Sequence, residues 1–254
     1  MPASYRPLAT TAPVLGGLLL ALCTWEARLA RRGPRPYEVA LPADGRVGPD
    51  GAPVRVVWLG DSLAAGLGAD DVEETPARLV ARMLERPVAL TVLAVPGSRA
   101  VDVVRDQLPR LDPATDLVVL SIGANDVAGN GSRAEYVAAL HRILAATNPI
   151  PTVVLSLPDM AMPDRIPQPL RTVAGARARW FEAARARVAA THDHVRSVDV
   201  ASRPTGMTRQ AARSYLSADR FHPGAQGYRC WAERIATTCH ALLEERSVQP
   251  LLAT

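Results

Sequence analysis

The chain has 254 residues, of which 48% are hydrophobic and 21% are charged, and this balance excludes collagen-like, coiled-coil and wholly disordered proteins. The formal net charge is +4 at pH 7, but the arginines are scattered among acidic residues, so nucleic acid is not expected as a partner. The three cysteines have no metal-type spacing and cannot all pair with one another, so the sequence predicts neither a metal site nor a disulfide framework.

The N-terminal segment, residues 1–32, differs from the rest of the chain. Residues 8–25 carry no charge, and the apolar run over 14–22 has a length between that of a signal-peptide core and that of a short membrane span. No small-residue cleavage pattern precedes Trp25, so we predict an uncleaved membrane anchor, with a buried or loosely attached N-terminal helix as the alternative. Four arginines follow and favour the cytoplasmic face for the downstream chain, with secretion as the alternative: Arg28, Arg31, Arg32 and Arg35.

Residues 33–53 are rich in proline, glycine and charged residues, which is typical of a linker. From residue 54 to residue 246, where we expect one catalytic domain, five runs rich in β-branched residues alternate with longer amphipathic segments. The runs cover residues 54–59, 88–95, 116–122, 150–157 and 195–200. Four of them are too continuously apolar for a sheet with one face in water, so they predict buried parallel strands. Residues 247–254 are expected to form a C-terminal tail.

The segments between the strands carry helix signals. Thr75 followed by Pro76 predicts the start of a helix, and Ser132 with Glu135 has the pattern of a capping box. Two further helices are predicted over 173–188 and 225–243. Strands separated by helices predict an α/β fold, a three-layer α/β/α sandwich around a parallel five-stranded sheet, in which ligands bind at the carboxyl ends of the strands.

Ser62 follows the first strand, in the segment Gly60-Asp-Ser-Leu-Ala-Ala-Gly66. A turn from strand to helix at this point can expose the hydroxyl and direct backbone N–H groups at developing negative charge. The segment lacks the Gly-Lys-Ser/Thr of a P-loop and the Gly-x-Ser-x-Gly of a nucleophile elbow. Catalysis, a phosphate-binding glycine loop and a plain turn are therefore all open on this motif alone.

Two more strands lead into candidate hydrogen-bond donors. The second strand runs to Gly97, which lacks a Cβ and would let a backbone N–H approach a ligand. The third strand ends just before Asn125, whose side-chain amide suits an oxyanion when it is held rigidly, although a turn would also favour the residues found there.

Asp219 and His222 stand three residues apart just before the last predicted helix. In a turn, the carboxylate can accept a hydrogen bond from the imidazole Nδ1–H and leave Nε2 free as a base for a serine hydroxyl. A helix-capping Asp and a pair of metal ligands are the alternatives.

In this order, Gly60-Asp-Ser62, Gly97, Gly123-x-Asn125 and Asp219-x-x-His222 resemble the four blocks of the SGNH, or GDSL, hydrolase superfamily. The resemblance covers residues 54–243 and implies a flavodoxin-like sandwich with Ser62 as nucleophile, His222 as general base and Asp219 as the residue that orients the base. It also implies an oxyanion hole formed by the backbone amides of Ser62 and Gly97 and the side chain of Asn125.

We therefore expect a serine esterase or lipase-like acyl hydrolase that acts through an acyl-enzyme on a small-molecule, lipid or sugar ester, without a metal or other cofactor. An acyltransferase, in which a sugar or lipid hydroxyl replaces water at deacylation, would use the same residues. A metal-dependent phosphoesterase is suggested by Gly60-Asp61 and Asp126, but the Asp-x-His and Gly-Asn-His motifs are missing. A non-catalytic binding module would explain the strands but not the coincidence of Ser, Asn, Asp and His.

Overall fold

The computed structural model describes residues 17, 21–26, 40–129, 131–202 and 208–252. Six strands form one sheet in the order β1-β3-β2-β4-β5-β6. The strands are β1 (Gly45–Val47), β2 (Val54–Gly60), β3 (Val88–Val92), β4 (Leu117–Ser121), β5 (Thr152–Leu155) and β6 (Val195–Val198). Strands β2 to β6 are mutually parallel. Each of them begins within two residues of the first residue of a predicted run.

The first strand falls inside the stretch that the sequence predicts as a linker. Residues Gly45–Val47 pair antiparallel with β3, with Gly45 opposite Leu90, and Oδ1 of Asp44 accepts a hydrogen bond from the N–H of Val92 at 2.8 Å. The sheet therefore has five parallel strands, as expected, and one antiparallel edge strand in addition. Three residues are too few to show an alternating pattern, which is why the sequence did not indicate this strand.

Helices cover both faces of the sheet. They are α1 (Pro76–Met83), α2 (Ala100–Asp102), α3 (Ala124–Ala128), α4 (Arg133–Thr147), α5 (Leu170–Ala189), α6 (Arg209–Ala212) and α7 (Ala225–Leu252). Helix α2 continues into a π-helical turn over Val103–Gln107, and short 3-10 helices lie at Val72–Glu74, Leu108–Arg110 and Arg213–Tyr215. The predicted tail from residue 247 is helical as far as Leu252, since α7 runs past the point where the apolar periodicity ends.

Of the two predicted helix starts, one has a side-chain cap and the other does not. Oγ of Ser132 accepts a hydrogen bond from the N–H of Glu135 at 3.1 Å, so Ser132 caps α4 and forms one of the two bonds of the predicted capping box. Pro76 is the first residue of α1, but the hydroxyl of Thr75 donates to the carbonyl of Val72 and makes no cap to that helix.

Neighbouring residues of β2 point to opposite faces of the sheet and build two cores. Trp58 is fully buried in a cluster with α1 and α7, which includes Tyr228. Leu59 is fully buried in the other cluster with α4 and α5, together with Tyr136 and Phe181. This alternation is what a strand between two helical layers requires. The prediction of an α/β/α sandwich is confirmed.

The predicted location of the protein at a membrane, held there by residues 1–32, is wrong. None of the helices in the described part of the chain combines the length and the apolarity that crossing a bilayer requires. Within 1–32 only residues 17 and 21–26 are described, and both stretches are helical. Glu26 is buried there, and its Oε2 accepts a hydrogen bond from the N–H of Leu170 at 2.9 Å, at the first turn of α5. Helix N-termini favour such a carboxylate because their first N–H groups lack intrahelical partners.

Candidate active site

Ser62 lies where the chain leaves the sheet at the carboxyl end of β2. Gly60 has a φ of +139°, and a Cβ at this position would collide with the carbonyl of Ser121 on the neighbouring strand. Beyond it, the N–H of Asp61 donates to the same carbonyl at 3.1 Å, and the N–H of Leu67 donates to the carbonyl of Ser62 at 2.8 Å. These bonds fold the segment into a tight turn that leaves Ser62 half-buried at the edge of the sheet.

The structure brings Ser62, His222 and Asp219 together. Oγ of Ser62 lies 3.0 Å from Nε2 of His222, and Nδ1 of His222 lies 2.6 Å from Oδ2 of Asp219. Because the carboxylate can only accept, the neutral ring carries its proton on Nδ1 and presents the lone pair of Nε2 to the hydroxyl. The arrangement can therefore withdraw a proton from Ser62.

The second oxygen of Asp219 is held by three donors. Oδ1 accepts hydrogen bonds from the hydroxyl of Ser217 at 2.7 Å, the N–H of Phe221 at 2.8 Å and the N–H of His222 at 2.9 Å. Burial alone would raise the pKa of Asp219, but the hydrogen bonds from His222 and Ser217 outweigh it and hold this pKa well below its ordinary value. The carboxylate therefore stays ionised beside the imidazole ring.

A salt bridge ties the turn between Asp219 and His222 to the loop after β5. The guanidinium of Arg220, a residue with a φ of +59°, donates to both oxygens of Asp164 at 2.9 and 2.7 Å. The hydrogen bond from Arg220 is the largest cause that lowers the pKa of Asp164. Sequence reasoning missed this pair, because its members lie 56 positions apart and no spacing rule connects them.

The residues predicted to line an oxyanion hole lie on three neighbouring segments. Gly97 is exposed, has a φ of +87° and has open space where a Cβ would be. Asn125, in α3, is half-buried and shares the pocket with Ser62, while its Nδ2 donates to the carbonyl of Ser98 at 3.0 Å. This bond uses one N–H of the amide and holds the side chain, so its second N–H remains for a ligand.

Two buried carboxyl groups, those of Asp61 and Asp126, are next to Ser62 and Asn125 in the sequence. Burial raises the pKa of Asp61 from 3.8 to about 7, with a smaller contribution from the charge of Asp126. Burial likewise raises the pKa of Asp126 to about 6, against a hydrogen bond that its Oδ2 accepts from the N–H of Ala100 at 3.1 Å. Among the described residues, no group of three or more His, Cys, Asp or Glu side chains is arranged to hold a metal ion.

An apolar pocket opens beside Ser62 and His222. It lies between the first turns of α7, the end of β6 and the loop after β5. Its apolar walls come from Met160, Met162, Leu216, Phe221 and Trp231, and Cys230 and Arg234 lie on the α7 side. The two aromatic residues of α7 differ in position: Tyr228 is fully buried in the core, whereas Trp231 lines the pocket.

A family model and a relative of known family both match this chain. The model of the GDSL-like lipase/acylhydrolase family matches residues 58–230. A GDSL-like esterase of Mycobacterium tuberculosis is 30% identical over 246 residues, which cover 87% of this chain and 76% of that protein.

Two solved structures share the fold. A lipase/acylhydrolase from Enterococcus faecalis has a TM-score of 0.57 at 20% identity, over 74% of this chain and 95% of that one. Phospholipase A1 from Streptomyces albidoflavus has a TM-score of 0.51 at 23% identity, over 74% of this chain and 100% of that one. At these identities the likeness concerns the fold alone.

Proposed function

Since the chain belongs to the GDSL-like lipase/acylhydrolase family, we propose that it is a serine hydrolase that cleaves a carboxylic ester through an acyl-enzyme on Ser62. One observation carries the proposal: the hydroxyl of Ser62, the imidazole of His222 and the carboxylate of Asp219 form one chain of short contacts, at 3.0 and 2.6 Å. A nucleophile next to a base that is itself oriented by a third group is the arrangement that acyl transfer needs.

In the acylation step, Nε2 of His222 takes the proton of Ser62 while Oγ attacks the carbonyl carbon of the ester. The carbonyl oxygen becomes an oxyanion, for which the backbone N–H groups of Ser62 and Gly97 and the side chain of Asn125 are the proposed donors. When the tetrahedral intermediate collapses, the bond to the alcohol oxygen breaks and the His222 imidazolium protonates this leaving group. The products are an alcohol and an acyl-enzyme.

Deacylation repeats these steps with water. His222 takes a proton from a water molecule, the hydroxide oxygen attacks the acyl carbon, and the second tetrahedral intermediate releases Oγ of Ser62. The proton returns from His222 to Ser62, and the free acid leaves. Throughout, the ionised Asp219 stabilises the imidazolium and does not itself exchange a proton. Neither step requires a cofactor.

The pocket supports an ester with an apolar acyl part. Its walls carry two methionines, a leucine and aromatic rings beside the proposed nucleophile. Met side chains adapt to flexible ligands, and burying a methylene group there is favourable by about 0.8 kcal/mol. We therefore expect activity to rise from acetyl esters to esters of medium-length fatty acids.

A fluorophosphonate probe tests the nucleophile directly. The wild-type protein should become labelled and should hydrolyse a panel of chromogenic esters, whereas Ser62→Ala and His222→Ala should fold but lose nearly all activity. Ser214→Ala is the matched control, because Ser214 is an exposed serine that does not line the pocket. Labelling that persists in Ser62→Ala, or activity that requires an added divalent metal ion, would contradict the proposal. Formation of a new ester when a sugar or lipid alcohol is added would identify an acyltransferase.

A further inference from the structure

Gln107 is a buried side chain to which sequence reasoning assigned no role. It is the last residue of the π-helical turn Val103–Gln107 and is only 1% exposed. Its Oε1 accepts a hydrogen bond from the N–H of Gly60 at 2.8 Å, and its Nε2 donates to the carbonyl of Gly60, also at 2.8 Å. One side-chain amide therefore binds both the N–H and the carbonyl of Gly60, which is two positions before Ser62.

The amide of Gln107 accepts from the N–H of Gly60, for which β3 offers no partner. On one side of β2, Gly60 pairs with Ser121 of β4. On the other side, the pairing of β2 with β3 ends at Trp58 and Val92, so no residue of β3 is opposite Gly60. A glutamine amide has the same donor and acceptor as a peptide group, so Gln107 supplies the acceptor for the N–H of Gly60 that β3 does not provide, and it gives the carbonyl of Gly60 a second donor beside the N–H of Val95.

Gln107 also reaches the loop of Gly97. Its Nε2 lies 3.4 Å from Oγ of Ser98, and the carbonyl of Ser98 accepts the hydrogen bond from Nδ2 of Asn125. The carbonyl of Gly60 in turn accepts from the N–H of Val95, three residues before Ser98. The segments that carry the three proposed oxyanion donors are thus linked through one buried side chain.

We propose that Gln107 is a positioning residue of the active site, which sets the distance between the N–H groups of Ser62 and Gly97 by holding Gly60 and Ser98 together. The inference rests on the proposed function. A π-helical turn places the amide at this point, and such turns are frequent at functional sites. Because a misplacement of about 1 Å can lower a rate by about 10², a residue that touches no substrate can control kcat.

Gln107→Met tests the proposal, because it keeps the side-chain length and removes both hydrogen bonds. We expect kcat for a short chromogenic ester to fall by about 10- to 100-fold with little change in KM. The affinity for an alkyl boronic acid, which forms a tetrahedral adduct on serine, should fall in parallel. Thr147→Val is the control: it also removes a buried side-chain hydrogen bond, but at the opposite end of the sheet.

Gln107→Glu keeps the proposal testable if Gln107→Met does not fold. A protonated carboxylic acid can both accept from the N–H of Gly60 and donate to its carbonyl, whereas an ionised one can only accept. The ratio of the variant's kcat to that of the wild type should therefore decrease as the pH is raised, in protein that circular dichroism shows to be folded.

The outcomes separate two failures. A wild-type kcat and boronate affinity in folded Gln107→Met, or a kcat ratio of Gln107→Glu that is high and independent of pH, would overturn the positioning role alone. Equal losses of kcat in Gln107→Met and Thr147→Val at matched melting temperature would also overturn it. If the wild-type protein neither hydrolyses an ester nor reacts with the fluorophosphonate, the proposed function itself is wrong.

Discussion

Gly68 lies directly against His222: a Cβ atom built on Gly68 would stand 2.9 Å from the Cβ of His222 and would collide with the carbonyl of Pro223. Gly68 belongs to the chain segment that follows Ser62, and its φ is +103°. The absence of a side chain at this position therefore allows the loop of the proposed base to approach the turn of the proposed nucleophile.

Gly68→Ala should push His222 away from Ser62. We expect kcat to fall at least about tenfold, because proton transfer depends on the 3.0 Å contact between Oγ and Nε2. The alanine also adopts an unfavourable φ, at a cost of about 1 to 2 kcal/mol in stability. Gly45→Ala is the matched control, since Gly45 has a φ of +128° but no neighbour closer than 3.9 Å to an added Cβ. A similar loss of kcat in both variants would show that backbone strain alone explains the effect.

Asn125 should respond to substitution as an oxyanion donor. Asn125→Ala is expected to lower kcat by about 10² to 10³ with little effect on KM, the usual cost of one lost donor. Asn125→Asp should be at least as damaging, because it places a carboxylate beside the carbonyl of Ser98 and the developing negative charge, and its effect should grow as the pH rises. If kcat of Asn125→Asp stays within a few-fold of the wild type, Asn125 is a turn residue and not a donor.

Cys230 offers a way to shorten the pocket. Its side chain lines the apolar pocket from α7 and is half-buried. Cys230→Phe should therefore lower kcat/KM for an octanoate ester by about tenfold while leaving an acetate ester nearly unaffected. Arg229→Phe places the same ring on the exposed side of the helix and serves as the control. Equal losses on both esters would mean that the acyl chain does not occupy this pocket.

Asp61 should make the folded protein less stable as the pH rises. Its pKa is about 7 in the folded state against 3.8 ordinarily, so between these values the folded chain holds a proton that the unfolded chain has lost. The contribution of Asp61 to the free energy of unfolding is therefore complete below pH 3.8 and decreases up to about pH 7. Asp61→Asn removes this dependence and keeps an oxygen for the N–H of Leu63.

Urea unfolding of the wild type and Asp61→Asn at a series of pH values measures this difference. The stability of the variant relative to the wild type should increase from pH 4 to pH 8. A difference in the free energy of unfolding that does not change with pH would show that folding does not raise the pKa of Asp61.

The family and the fold were predictable because their signals are local in sequence. The five parallel strands are continuous apolar runs, and Asp219 and His222 are three residues apart, so a single turn brings them into contact. Ser62 was predictable from its place after a strand, since parallel strands end at the same edge of the sheet. The family prediction is confirmed; the roles of these residues remain predictions.

What the sequence did not indicate depends on contacts between distant segments. The pairing of Gln107 with Gly60 joins residues 47 positions apart, and nothing near Gln107 distinguishes it from any other polar helix residue. The apolar run before Trp25 was interpreted as a membrane anchor because hydropathy indicates a preference for apolar surroundings. It does not distinguish a lipid bilayer from the apolar surface of a protein. The buried contact of Glu26 with the N–H of Leu170 shows protein surroundings at the end of that segment.

The 160 positions between Ser62 and His222 have a consequence for the newly made chain. A ribosome produces the proposed nucleophile 160 positions before the proposed base, which comes immediately before the helix that closes one face of the sheet. A nascent chain, or a fragment cut anywhere between the two, holds a serine without its imidazole. If the proposed triad acts, ester hydrolysis requires a chain that extends past His222, and shorter translation products should be inert toward the esters around them.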